Sequence, residues 1–252
     1  MAELITIQTP DGTAEAYLAR PPAASASSAG VLFYMDAIGL RPRIEEMVEE
    51  IASWGYVVLA PNVFYRDGDI AAVGPAADLR VPENRAAFFA SGASKRVAGL
   101  TPDRVAADVP AYLATLRRYA AGPIGTTGYC MGARLAVRTA GLFPDEVVAV
   151  GGFHGGGLAT EDPESPHTKI AGTRAAYVLL HADNDGSMPP EQVAVLEEAL
   201  VAAGVEHVNE IIPGAPHGYT MSDTSMWDAA ANARHLSELR ALFERTLRRV
   251  VR

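Results

Sequence analysis

Between Ile124 and Gly141 the chain reads I-G-T-T-G-Y-C-M-G-A-R-L-A-V-R-T-A-G. A short apolar run meets Gly-x-Cys-x-Gly at Gly128 to Gly132, and helix formers follow, an order that predicts a strand, a sharp turn and a helix. Glycines flank the cysteine because neighbouring backbone must pass close to such a turn. A thiol presented there stands at the carboxyl end of a central strand, over a helix N-terminus whose N–H groups and dipole favour thiolate. Cys130 is therefore the candidate nucleophile. A lone cysteine can also be a small buried hydrophobe, so the rest of the chain must supply the partners that chemistry requires.

The flanking sequence builds the sheet that this turn needs. Leu4 to Gln8 and Ala14 to Ala19 alternate around Pro10-Asp11-Gly12 and predict an antiparallel hairpin at a sheet edge. Pro21 to Gly30 is low in complexity and reads as a surface loop. Val31 to Tyr34 is a buried-strand run, the spacing of Ile44, Met47, Val48 and Ile51 predicts a helix, and Tyr56 to Ala60 is the next strand. This β-α-β rhythm implies a parallel sheet with right-handed crossovers. From Pro61 to about Leu100, Gly68, Gly74, Pro75, Pro82 and Gly92 interrupt the pattern, with a short helix over Asn84 to Ser94, in an insertion expected over the upper edge of the sheet. Thr101-Pro102-Asp103 then caps a helix through Val105, Val109, Leu113 and Leu116 that leads into the cysteine strand. Val147 to Phe153, Ala176 to His181 and His207 to Ile212 read as strands, Gln192 to Ala203 as a helix, and Ser225 to Val251 as a long final helix with a basic end. The expected fold class is α/β: a mostly parallel central sheet with helices on both faces and an N-terminal antiparallel hairpin, in one domain spanning residues 1 to 252.

Composition narrows the function. With 21 basic and 30 acidic residues the formal charge is −9, so the basic footprint of a nucleic-acid binder is missing. No signal-like N-terminus or long apolar run is present, and the single cysteine excludes an internal disulfide and a multi-cysteine zinc site. A soluble cytoplasmic protein, a monomer or small homo-oligomer, is expected. Gly155 to Gly157 lacks the Gly-Lys-Ser/Thr of a phosphate loop, and no G-x-G-x-x-G joins a strand to a helix. Neither a cofactor nor a metal is called for.

A cysteine nucleophile needs an imidazole to handle its proton and a carboxylate to fix the imidazole tautomer. His217, in P-G-A-P-H-G-Y just after a strand, is the best placed histidine; His154 and His181 are alternatives. The acid should follow the strand ending at His181, where H-A-D-N-D-G-S-M-P offers Asp183 and Asp185. The Asp-x-x-apolar-Pro spacing favours Asp185, leaving Asp183 to an Asx turn.

Taken together, Met35-Asp36-Ala37-Ile38-Gly39, Ala60-Pro61-Asn62 with Tyr65-Arg66, G-Y-C-M-G, D-G-S-M-P and P-G-A-P-H-G-Y resemble the dienelactone hydrolase family of the α/β-hydrolases over most of the chain. The resemblance implies a cofactor-free hydrolase of a small ester or lactone acting through Cys130, Asp185 and His217, with an oxyanion hole from the backbone N–H groups of Met131 and Ala37. A thioesterase of the same fold, or a non-catalytic redox-sensing or small-molecule-binding protein, are the alternatives. Two departures bear on the substrate. Asp36 stands where family members on dienelactone usually have Glu, and Met221 where they often have a substrate-binding Arg. Arg66 and Arg80 in the insertion are the candidate replacement cations; without a cation at Met221, neutral esters are expected to react at least as well as carboxylate-bearing ones. Asp36 is expected at the same sheet edge as Cys130, where its carboxylate would gate the thiol by like-charge repulsion.

Overall fold

The structure is a computed structural model that describes residues 1–22 and 28–248. An eight-stranded sheet runs in the order β1-β2-β4-β3-β5-β6-β7-β8. β1 (Glu3–Thr9) and β2 (Gly12–Ala19) form the expected hairpin, with Thr9 opposite Gly12 across Pro10-Asp11. β2 pairs antiparallel with β4 (Val57–Pro61), and all later pairings are parallel: β3 (Gly30–Tyr34), β5 (Ile124–Tyr129), β6 (Val147–Phe153), β7 (Ala176–His181) and β8 (His207–Ile211). Every residue of β3, β4, β5 and β7 is buried, as strands covered on both faces must be. The runs of β3, β4 and β7 accordingly read as near-continuous apolar stretches, while β5 carries the buried polar Thr126 and Thr127.

The chain leaves β3 for β4 on one side and returns to β5 on the other. The strand order switches at β3/β5, and the carboxyl ends of strands at such a point diverge to leave a crevice. Asp36 and Ala37 follow β3 and Cys130 follows β5, so the sheet topology itself brings them to one edge.

The helices follow the sequence closely where an apolar stripe and a cap coincide. α1 (Pro42–Ser53) buries Ile44, Met47, Val48 and Ile51. α5 (Pro102–Arg117) starts with Thr101 accepting from Arg104 N–H, and α7 (Pro190–Ala203) ends at Gly204 in the left-handed region. α8 (Ala229–Leu247) opens later than expected from Ser225, because Asp228 takes the N-cap and accepts from Ala231 N–H. Of the expected basic end R-T-L-R-R-V-V-R, residues 249–252 lie outside the described residues, as does the centre of the Pro21–Gly30 loop. In the insertion, α2 (Ile70–Val73) and α3 (Pro82–Phe88) precede a π-type turn over Phe89–Ala93 and α4 (Ser94–Gly99). The single helix expected over Asn84 to Ser94 is broken because Gly92 takes φ 122°, incompatible with continuation. Among the described residues no helix is long and apolar enough to cross a membrane.

Candidate active site

Cys130 sits between β5 and α6 (Met131–Leu142) with φ 56° and ψ −119°. A non-glycine residue there is strained by about 1–3 kcal/mol, which the surroundings must impose. They do so by close approach: a Cβ on Gly128 would lie 2.1 Å from the carbonyl oxygen of Gly132, and one on Gly132 would lie 2.5 Å from the carbonyl oxygens of both Tyr34 and Met35. α6 is thereby pressed onto the end of β3. Gly132→Ala is expected to force these backbones apart at a cost of about 3 kcal/mol, lowering the thermal unfolding midpoint by roughly 10 °C; circular dichroism melts measure it.

His217, in the loop after β8, places Nε2 3.1 Å from Cys130 Sγ. Its Nδ1–H donates to Asp185 Oδ2 at 2.6 Å. The other carboxylate oxygen of Asp185 accepts from the backbone N–H and the hydroxyl of Ser187, at 2.9 and 2.7 Å. Burial acts to lower the His217 pKa, but the charge of Cys130 and the bonds to Asp185 and Cys130 outweigh it and raise it to about 10. Burial likewise acts to raise Asp185, and the bonds from His217 and Ser187 overcome this and hold it at about 2. The site thus favours a carboxylate and an imidazolium over a wide pH range.

Asp183 accepts from Asn184 N–H and from Gly214 N–H at 2.8 Å, tying the β7 loop to the segment before His217. His181 is buried and bonded to Asn209. His154 is fully buried, with Nε2 2.8 Å from Thr220 Oγ1 and its ring edge-on to His217 at 5.3 Å. Burial pushes its pKa well down, so it faces His217 as a neutral ring. Met131 is the first residue of α6, where N–H groups have no acceptor within the helix. Met131 and Ala37 both line a cavity beside Cys130.

Three sequence expectations are corrected here. Asp36 lines the cavity together with Cys130, but its carboxylate is taken up by other groups. Arg41 donates to both of its oxygens, at 2.7 and 3.0 Å, and Ile38 N–H reaches it at 3.1 Å; among the described residues no hydrogen bond joins Asp36 to Cys130. The gating carboxylate is claimed by a guanidinium the sequence reading overlooked. Arg66 is held by Asp108 through two bonds and by Asp11 through a third, bracing the insertion against α5 and the hairpin turn. Arg80 pairs with Asp78 on the surface. Neither lines the cavity that holds Cys130, His217 and Asp36.

Arg41 also donates to Asp223 at 2.5 Å and touches Met221 Sδ at 3.3 Å. It is 4% exposed and joins the Ala37 loop to the loop after His217. Arg41→Met strands Asp36 as a buried unpaired carboxylate, so a loss of about 3–5 kcal/mol is expected, measured by urea unfolding at neutral pH.

The cavity of about 290 Å³ over Cys130 is lined mainly by apolar side chains, including Ile38, Phe89, Met221 and Met226. Its guanidinium is that of Arg85 of α3, stacked over the Phe89 ring at 5.0 Å, with a buried Nε that has no hydrogen-bond partner among the described residues. Nothing in the irregular insertion sequence marks Arg85 above its neighbours. A second cavity of about 420 Å³ meets the first at Ala37, Phe89, Cys130 and His217. It holds Arg134, in the first turn of α6 just after Cys130.

The sequence pattern of the dienelactone hydrolase family matches residues 14–247. The chain is 28% identical over 251 residues to a Synechocystis protein named "Putative carboxymethylenebutenolidase", covering 97% of each chain. It is 25% identical over 174 residues to the carboxymethylenebutenolidase of Rhodococcus opacus, covering 69% of this chain and 63% of that one. Among solved structures it resembles the dienelactone hydrolase of Anabaena variabilis, with a TM-score of 0.60 at 16% identity over 98% of this chain and 99% of that one. That likeness speaks to the α/β fold alone.

Proposed function

The chain belongs to the dienelactone hydrolase family, and from that premise we propose that it hydrolyses a small ester or lactone through Cys130, His217 and Asp185. The observation that carries the reading is the unbroken relay from Asp185 Oδ2 to His217 Nδ1 at 2.6 Å and from His217 Nε2 to Cys130 Sγ at 3.1 Å, opening on an apolar cavity. Each atom has a use. The sulfur attacks the carbonyl carbon, the C=O electron pair moves onto oxygen, and the N–H groups of Met131 and Ala37 stabilise that oxyanion. As the carbonyl reforms, the bond to the leaving oxygen breaks and His217 gives its proton to that oxygen.

The second half follows from what raises the His217 pKa. Acylation turns the charged sulfur into a neutral thioester, removing the largest contribution that held the imidazolium. His217 is then basic enough to take a proton from water, not too basic to give it up, and the resulting hydroxide attacks the thioester. The thiolate leaves, the imidazolium returns, and the product departs as a carboxylic acid. A redox sensor built on the same cysteine would need neither Asp185 nor the cavity.

The relatives named above take their name from a butenolide bearing a carboxymethylene group. Arg85 in the first cavity is the group here that would hold such a carboxylate, which reverses the expected indifference to charge: carboxylate-bearing esters should be turned over faster than neutral ones of equal size. Mixing the protein with p-nitrophenyl acetate and quenching is expected to give a burst of nitrophenolate and an acetyl adduct on the Cys130 peptide in mass spectrometry. Neither turnover nor adduct with any ester or lactone of a broad panel would overturn the reading.

A further inference from the structure

Arg134 is half-buried in the second cavity, and no hydrogen bond or ion pair to it is formed among the described residues. A guanidinium withdrawn from water without a partner is costly. Arg41 and Arg66, by contrast, are held by carboxylates: Arg41 by Asp36 and Asp223, Arg66 by Asp108 and Asp11. Arg134 is also well placed for a ligand. It lies one helical turn beyond Cys130, and the facing wall is Gly156, Gly157 and Ser187. A Cβ built on Gly157 would lie 4.0 Å from Arg134 Nη1, in ordinary van der Waals contact, which sets this stretch of backbone alongside the guanidinium. Burial lowers its pKa, and the charge of Cys130 opposes that shift.

Arg85 is unpaired in the same sense, but it lines only the first cavity, as Arg134 lines only the second. The two cavities share Cys130 and His217, so a substrate whose reacting carbonyl lies over the sulfur extends one half toward each arginine. We propose that Arg134 forms a second anion-binding subsite across Cys130 from Arg85, so that the substrate carries a negatively charged group, a carboxylate in the simplest case, on each half flanking the bond that breaks. This rests on the hydrolytic reading above. It goes beyond a single carboxylate anchor by assigning charge to both the acyl and the leaving half.

The test compares p-nitrophenyl hydrogen succinate with p-nitrophenyl butyrate, and m-acetoxybenzoate with m-acetoxybenzamide. The first pair varies charge on the acyl half and the second on the leaving half. Ratios of kcat/KM, charged over uncharged, cancel any general loss from misfolding. Arg134→Gln is expected to lower one ratio about tenfold, the effect of one charge-assisted hydrogen bond, and Arg85→Gln the other, with Arg134→Lys recovering part of the loss. Equal slowing of all four esters by Arg134→Gln, no change in either ratio, or loss of the same ratio in both variants would overturn the proposal. If the wild type hydrolyses none of them, the hydrolytic reading fails by itself. The subsite is then read from alkylation of Cys130, the chain's one cysteine: the rate with iodoacetate relative to iodoacetamide is expected to fall about tenfold in Arg134→Gln, and an unchanged ratio overturns it.

Discussion

Replacing Cys130 by alanine is expected to lower kcat/KM for p-nitrophenyl acetate by about 10⁵-fold, roughly 7 kcal/mol of transition-state stabilisation. The size follows from what is lost. On the proposed mechanism no acyl-enzyme forms without the sulfur, and only the cavity and the N–H groups assigned to the oxyanion, those of Met131 and Ala37, remain to act on attack by water. The variant should fold. The strained turn is imposed by the contacts of Gly128 and Gly132, which do not involve the cysteine side chain, and alanine at φ 56° costs little more than cysteine does. Serine at the same position is the sharper comparison, because a hydroxyl has far less anionic character at neutral pH and gives His217 little charge to hold. Near-ultraviolet circular dichroism establishes the fold and steady-state kinetics the loss; turnover in Cys130→Ala equal to wild type would move the nucleophile elsewhere.

The parts of this arrangement that were legible in the sequence share one property: local chemistry and global position agree. The apolar runs of β3 and β7 are fully buried, and Thr101 and Gly204 mark helix ends by their own backbone preferences. Cys130 is legible for the same reason, since a sharp turn demands its glycines. Asp185 and His217 follow because strand ends deliver loops to one edge of the sheet. The relay they form depends on residues 87 apart in sequence, yet each signal is local to its own strand.

The cations were not legible, because sequence spacing alone does not say whether a near or a distant carboxylate will claim an arginine. Arg66 and Arg80 looked available, but Asp108 is 42 residues from Arg66 and Asp78 only two from Arg80. Arg41 is captured by Asp36 five residues before it and by Asp223, 182 residues after it. Charge pairing is a tertiary property: that Arg85 and Arg134, the arginines lining the two cavities, have no carboxylate partner among the described residues emerges only from the fold. The same pairing explains Asp36. One methylene shorter than glutamate and pinned by Ile38 N–H, it is held to its own loop and Arg41 in place of the sulfur.

The second large effect concerns Asp185, whose replacement by asparagine is expected to lower kcat about 10⁴-fold. Asparagine keeps the shape but can offer an N–H to His217 Nδ1, so the imidazole is held with its proton on Nε2, the wrong side to accept one from water. The substitution also removes an anion beside the imidazolium, so the His217 pKa must fall from about 10, and the alkaline limb of kcat/KM moves to lower pH. Stability shifts in the same sense. Asp185 is held at about 2, below its unfolded value of about 4, so its contribution is present above about pH 4 and is lost as pH falls through 2. His217 is raised, so its contribution is complete below about pH 6.5 and is lost as pH rises through about 10. The wild type should therefore melt highest between these limits, and Asp185→Asn should flatten the acid side of that profile. Asp183→Asn is the control that separates the two carboxylates: it loses a bond to Gly214 N–H that orders the loop, costing kcat about tenfold or less and leaving the alkaline limb in place. A larger loss in Asp183→Asn than in Asp185→Asn, read from pH profiles of both variants, would exchange their roles.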